Sequence, residues 1–244
     1  MIPEPPLTAL PMKSPAALLP GRDPPKDIMT VQAKICGIKT PSAMQAAIDG
    51  GTSYIGLVFY PPSPRAVTGI EAAPLAAMVP NSVKKVGLFV DIGDDRLAEI
   101  LNNVPLDILQ LHGKETPERV AEIKKATGLP VMKVIHIEKA DDFAGIDRYS
   151  DIADQILFDA KAPKDLKNAL PGGNAISFDW SLFANHPWQN SWMLSGGLNA
   201  ANVAEAIHVS GARAVDVSSG VESAPGMKDN KMIAAFLETV LALP

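Results

Sequence analysis

The chain has 244 residues, 47% of them hydrophobic, a formal net charge of -5 and a single cysteine. That length suits one (β/α)8 barrel or two small domains, and the apolar content is enough for a sizeable core. No run approaches the ~20 apolar residues of a membrane-spanning helix, no basic stripe is present for a nucleic-acid backbone, and one cysteine permits no internal disulfide. A soluble cytoplasmic protein with no nucleic-acid or membrane partner is expected.

Prolines crowd the first segment, at Pro3, Pro5, Pro6, Pro11, Pro15, Pro20, Pro24 and Pro25. They remove backbone donors and prevent a long helix or an inner strand. Residues 1–30 are therefore expected to form a disordered Pro-rich arm, with Met29 as an alternative start, ahead of a catalytic domain over 31–244. The apolar run Ala16 to Leu19 is too short for a signal-peptide core, and Glu4, Asp23 and Asp27 do not suit an acid-poor transit peptide.

From Gln32 onward, short β-branched apolar runs alternate with segments of helical period, the pattern of consecutive βα units. The predicted strands are Gln32 to Ile35, Tyr54 to Phe59, Lys84 to Val90, Ile108 to Leu111, Val131 to Ile135, Gln155 to Phe158, Trp192 to Ser195 and Ala214 to Val217. Thr40 before Pro41, Thr116 before Pro117 and Asn199 before an Ala-rich turn mark helix starts. The segment from Lys139 to Tyr149, with Gly145 in its middle, has little amphipathic order, and a loop can replace the fifth helix there. An open doubly wound α/β sheet shares this alternation. A closed TIM barrel is favoured because Cys36, Arg65, Asp91, His112, Asp159, Ser195 and Asp216 fall at or just beyond strand C-termini, which in a barrel converge on one mouth.

Side chains two apart on a strand share a face, so Lys34 and Cys36 point the same way, and the cation favours a thiolate able to act as a base. Taken alone, Cys36 is more simply a buried small hydrophobe. Asp159 follows an apolar run and must be solvated, paired or functional, with a turn or helix cap equally available. Beyond it, Gly172-Gly173-Asn174 can adopt backbone shapes that fold over a ligand. Arg65 leaves the stiff segment Tyr60-Pro61-Pro62-Ser63-Pro64, and its fork suits a carboxylate partner, although the loop alone reads more simply as a solvated surface arginine.

Ser195-Gly196-Gly197 and Ser218-Ser219-Gly220 follow the last two strands, the loops that in such barrels commonly bind phosphate through backbone N–H groups. Gln110 with His112, and Asp216 with Ser218, share strand faces and can hydrogen-bond a sugar or ring substituent, which makes His112 and Asp216 substrate-binding candidates. His136, His186 and His208 show no metal-ligand spacing, so no metal is assigned. The sequence carries no P-loop, nucleophile elbow or dinucleotide fingerprint.

An ordered set of motifs resembles the phosphoribosylanthranilate isomerase family from Lys34 to Asp229. It comprises Lys34-Ile35-Cys36-Gly37, Phe59-Tyr60 with Ser63-Pro64-Arg65, Leu109-Gln110-Leu111-His112-Gly113, Phe158-Asp159, Phe178-Asp179-Trp180, Ser195-Gly196-Gly197-Leu198 and Asp216-Val217-Ser218-Ser219-Gly220-Val221-Glu222. The resemblance implies a cofactor-free aldose–ketose isomerase of tryptophan biosynthesis, with N-(5-phosphoribosyl)anthranilate as small-molecule substrate. It implies Asp159 as the acid that opens the furanose ring, Cys36 as the base at sugar C2, Arg65 on the anthranilate carboxylate, and Gly196, Gly197, Ser218, Ser219 and Gly220 around the phosphate. A protonated carboxyl and a thiolate working together require environments that push their pKa values toward each other.

The chain departs from the family where Asn174-Ala175 follows Gly172-Gly173 in place of G-G-[ST]-G, and its Pro-rich arm lies outside the pattern. The alternative function is a catalytically silent sugar-phosphate-binding barrel. An indole-glycerol-phosphate synthase or a ribulose-phosphate epimerase calls for a lysine and glutamate set or a metal, which Cys36 with Asp159 fits poorly. Apolar outer helix faces suit a monomer or a homodimer alike.

Overall fold

A computed structural model of the chain describes residues 30–161, 172, 179–184 and 191–243. Residues 1–29, expected to form the Pro-rich arm, together with Gly173, Asn174, Ala175, Phe178 and His186, lie outside these residues.

Eight parallel strands close into one barrel in chain order. They are β1 (Gln32–Cys36), β2 (Tyr54–Val58), β3 (Lys84–Phe89), β4 (Ile108–Leu111), β5 (Val131–Ile137), β6 (Gln155–Ala160), β7 (Ser191–Leu194) and β8 (Ala214–Val217). Closure comes from β1 pairing with β8, Lys34 opposite Asp216 and Ile35 opposite Val217, which excludes the open doubly wound sheet. The main departures from the sequence expectation are that β5 and β6 run on to Ile137 and Ala160, so the ladder includes His136 and Asp159 as register partners.

Alternation along each strand sorts side chains between two interiors. Ile35, Leu57, Leu109, Val131, Phe158 and Val215 face outward into the main core beneath the helices. Tyr54, Val86, Met132, Leu157 and Met193 fill the lower barrel, and Cys36, Val58 and Leu88 form a smaller cluster of their own. Burying each large aliphatic side chain is worth about 1.5–3 kcal/mol, so the strand faces are pinned and the polar residues of the inner face are carried to the mouth.

The helices are α1 (Pro41–Asp49), α2 (Gly69–Ala77), α3 (Asp94–Asn103), α4 (Pro117–Thr127), the single turn α5 (Asp147–Ser150), α6 (Val203–Ser210) and α7 (Asn230–Leu241). Thr40 and Thr116 cap α1 and α4, accepting from Ala43 N and Arg119 N, with proline in the first turn. Asn199 does not start α6. Its Oδ1 accepts from Ala201 N within a turn, and the helix begins after Asn202. The fifth segment forms a 3-10 stretch at Ala140–Gly145 followed by α5, as its lack of an apolar stripe allows. After β8 the chain makes a small hairpin, β9 (Glu222–Ala224) and β10 (Met227–Lys228), that folds back over the mouth. No helix among the described residues is long and apolar enough to cross a membrane.

Candidate active site

The strand C-termini open into a cleft of about 750 Å³, open mouth included. Cys36, Arg65, His112, Asp159, Ser195, Gly196, Gly197, Asp216, Ser218 and Ser219 all line it, with Tyr60, Leu88 and Val90 as apolar wall. Two sequence candidates stand apart. Asp91, at φ 47°, faces the β4–α4 loop, where its Oδ1 accepts from Lys114 N. Gly220 packs instead against the loop after β7, so closely that a Cβ there would meet Leu198 O at 1.8 Å. It lets the loops after β7 and β8 touch.

On the β1 side, Lys34 is fully buried and its Nζ donates to Asp216 Oδ1 at 2.9 Å. Asp216 Oδ2 accepts from Ser195 Oγ at 3.1 Å, so both carboxylate oxygens are engaged in holding Lys34 and the β7 end. Burial pushes the Cys36 thiol up and Asp216 adds to this, while Lys34 and Lys228 pull down without reversing the sign. The expected cation is therefore in place, but desolvation outweighs it and the resting group is a thiol. Burial also disfavours the Lys34 cation, yet Asp216 and Cys36 together hold its pKa above the usual lysine value.

On the β6 side, Asp159 Oδ1 accepts from Ala160 N at 2.9 Å. Its Oδ2 lies 3.3 Å from His112 Nε2. The separation is that of a hydrogen bond but the alignment is not, so Nε2 is a buried atom with no hydrogen-bond partner among the described residues. The other ring nitrogen, Nδ1, lies 3.2 Å from Gln110 Nε2. Gly172 comes down over this pair. His136 lies beside them, its ring 5.3 Å from that of His112, and His112, His136 and Asp159 offer ligand-type atoms within 4.8 Å of one another. Sequence spacing hid this cluster, because barrel register and not local periodicity brings its members together.

Arg65 is 5% exposed, which sets aside a solvated surface role. Its Nε and Nη2 donate to Glu222 Oε1 and Oε2 at 2.8 and 2.9 Å. Lys228 Nζ donates to Glu222 Oε1 at 2.7 Å and to Ser218 O at 2.8 Å. Burial raises the Glu222 carboxyl, but Arg65 and Lys228 more than reverse this and hold it below the usual range. Sequence reasoning assigned no role to Glu222 and passed over Lys228. Their only signal was that Glu222 closes the motif after β8, since the return of the hairpin onto Arg65 is a long-range contact. Gly196 and Gly197, in the loop after β7, both adopt left-handed conformations, φ 94° and 63°, and Ser218 Oγ donates to Cys36 O at 3.2 Å.

A sequence model of the family described as N-(5'phosphoribosyl)anthranilate (PRA) isomerase matches residues 33–239. The N-(5'-phosphoribosyl)anthranilate isomerase of Paramagnetospirillum magneticum is 56% identical over 210 residues, 86% of this chain and 97% of that protein. That of Rhodospirillum centenum is 54% identical over 215 residues, 88% of this chain and 100% of its own length. Among solved structures, the phosphoribosyl anthranilate isomerase of Thermotoga maritima superposes with a TM-score of 0.77 at 34% identity, covering 87% of this chain and 100% of that one. A phosphoribosyl anthranilate isomerase in complex with reduced 1-(o-carboxyphenylamino)-1-deoxyribulose 5-phosphate gives a TM-score of 0.74 at 33% identity, with the same coverage. With the family model spanning the barrel and relatives matched along nearly their whole length, this chain belongs to the N-(5'-phosphoribosyl)anthranilate isomerase family.

Proposed function

We propose that the chain converts N-(5-phosphoribosyl)anthranilate into 1-(2-carboxyphenylamino)-1-deoxyribulose 5-phosphate, an Amadori rearrangement of tryptophan biosynthesis, with Asp159 as acid and Cys36 as base. The observation that carries this reading is that one cleft is lined by Cys36 and Asp159 together with Arg65 and the loops after β7 and β8. Asp159 gives its proton to the furanose ring oxygen as the C1–O bond breaks, and the nitrogen lone pair forms a Schiff base. The Cys36 thiolate then takes the proton from C2, electrons move toward nitrogen, and the resulting enolamine becomes the ketone by gaining a proton at C1 as the C2 hydroxyl loses its own. Nothing is added or lost overall, which suits paired proton transfers.

The phosphate rests against Gly196, Gly197, Ser218 and Ser219, with Gly220 holding the two loops in contact. Arg65 meets the anthranilate carboxylate. Its grip on Glu222 through Nε and Nη2 fixes the guanidinium plane at the mouth. His112, beside Asp159, and Asp216, through its grip on Lys34, set the acid and the surroundings of the base.

The test is a fluorescence assay. Purified protein should consume phosphoribosylanthranilate, seen as loss of anthranilate-type emission, and a folded sample without turnover would sink the proposal. Cys36→Ser and Asp159→Asn should each lower kcat by about 10²–10⁴-fold, the usual worth of a general acid or base, with binding of a product analogue largely retained. Near-normal rates in both would show that other groups move the protons.

A further inference from the structure

Three side chains of metal-ligating type converge at the rim of the mouth on the side away from β1. His112 follows β4, His136 belongs to β5 and Asp159 to β6, and the last two are register partners on neighbouring strands. Each offers one ligand atom within 4.8 Å of the others. His112 Nε2, on a residue only 6% exposed, has no hydrogen-bond partner among the described residues, and it stands 3.3 Å from Asp159 Oδ2. Two ligands bonded at ~2.0–2.1 Å to one tetrahedral zinc ion are about 3.4 Å apart. This pair therefore already spans one edge of such a site.

We propose that His112, His136 and Asp159 form a three-ligand site for a zinc-type divalent ion, and that the bound ion excludes substrate. Two neighbouring features support it. The point where a Cβ of residue 172 would sit is 2.8 Å from both His112 Nε2 and Asp159 Oδ2, and glycine there leaves that space open between the two ligand atoms. Behind His112, Gln110 faces Nδ1 at 3.2 Å and its own Oε1 is buried without a partner. Turning that amide by half a rotation lets Oε1 accept from Nδ1–H. The tautomer is then fixed with its lone pair on Nε2, the outer-shell arrangement that metal-bound imidazoles use.

His136 is half-buried at the rim, and its ligand atom, within 4.8 Å of the other two, supplies the third corner of the face. The fourth position points into the cleft, open to water. Two imidazoles and one carboxylate suit zinc or cobalt and not magnesium. Binding stands on this geometry alone, whereas exclusion of substrate rests on the reading of Asp159 as the acid, since the ion occupies the place where the furanose ring oxygen must meet that carboxyl.

Cobalt(II) is the probe. Titrated into the purified full-length protein, it should bind one equivalent and give visible bands of tetrahedral intensity, with no thiolate-to-metal charge-transfer band. His136→Asn and, as a second variant, His136→Gln should each weaken cobalt and zinc binding by at least about tenfold, read by calorimetry, while magnesium displaces neither ion. Zinc should raise the apparent KM of the wild-type protein and do so far less in both variants, each compared with its own metal-free rate. No metal uptake, a charge-transfer band placing the ion on Cys36, or unchanged affinity in both His136 variants would overturn the site. Cobalt binding as described in a protein that consumes no phosphoribosylanthranilate would instead remove the isomerase reading and leave the site standing.

Discussion

Cys36 is caught between opposing influences of identified origin. Burial and Asp216 disfavour the thiolate, while Lys34 and Lys228 favour it, and the balance leaves the thiol above its ordinary value. A base works deprotonated, so activity is lost as pH falls below the thiol's pKa and gained as pH rises toward it. For the free enzyme, kcat/KM should therefore climb with pH through and beyond neutrality, the rise extending above the range of an ordinary cysteine. Lys34 acts through Cys36 as a positioning residue, and Lys34→Met removes the first cation opposing burial. Its pH profile should move to higher pH, whereas Lys34→Arg should keep most of the wild-type position. A profile unmoved in the folded Lys34→Met protein would mean that the cation only holds Asp216. The pairing of Lys34 with Cys36 was readable from the period of a strand, but the sign of the Cys36 shift was not. Desolvation depends on everything packed above and around the sulfur, and no local pattern contains that.

Two short connections set the mouth, and each turns on one buried carboxylate. In the β9–β10 hairpin, Glu222 grips Arg65 through two hydrogen bonds and is itself held by Lys228. Glu222→Gln places an amide donor against a guanidinium donor, which should loosen Arg65 and cost about 1.4 kcal/mol of substrate binding. The expected result is a KM raised about tenfold with kcat changed by less than about threefold. A fall in kcat at unchanged KM would instead place Glu222 in the chemistry. In the β4–α4 loop, Glu115 accepts from Asp91 N and Gly113 N and pairs with Lys133 Nζ at 2.8 Å, with both side chains at most 3% exposed. Burial raises the Glu115 carboxyl, but Lys133 and the backbone amides of Asp91 and of Glu115 itself more than compensate and hold it below the usual value. A depressed carboxyl contributes stability that is present above the unfolded value of ~4.3 and lost as pH falls through the folded one. Urea unfolding should show wild-type stability declining as pH drops below about 5. Glu115→Gln should lower stability near neutral pH by about 3 kcal/mol and flatten that decline. Neither tie was legible in the sequence, because each joins residues on separate elements brought together only by closure of the barrel. The loop positions themselves were, since glycine and proline mark them.

At the scale of the whole barrel, most of what was legible came from alternation. The runs around Ile35, Leu57 and Val215 announce strands with one face outward, and placing Cys36, Asp159 and Asp216 at strand ends follows from the same counting. The His112, His136 and Asp159 cluster was not legible, because it depends on how far neighbouring strands are staggered as the sheet closes. An N-terminal boundary of the barrel near residue 31 is expected from the family match and from the packing of β1. Relatives are matched over 97% and 100% of their length by 210 and 215 residues of this chain, and the family match begins at residue 33. Inside that boundary the first residues are structural: Val31 is 1% exposed, and Gln32 N donates to Arg213 O at 2.9 Å beside β8. Deleting Met1 to Met29 should therefore leave kcat/KM and the melting temperature close to wild type. Extending the deletion through Ala33 removes Val31, the Gln32 contact and a fully buried Ala33 of β1. That longer cut should destabilise the fold by at least about 2–3 kcal/mol, from the lost burial and the shortened ladder between β1 and β8. Large loss of activity in the shorter deletion would show that the proline-rich segment contributes to the barrel or its site.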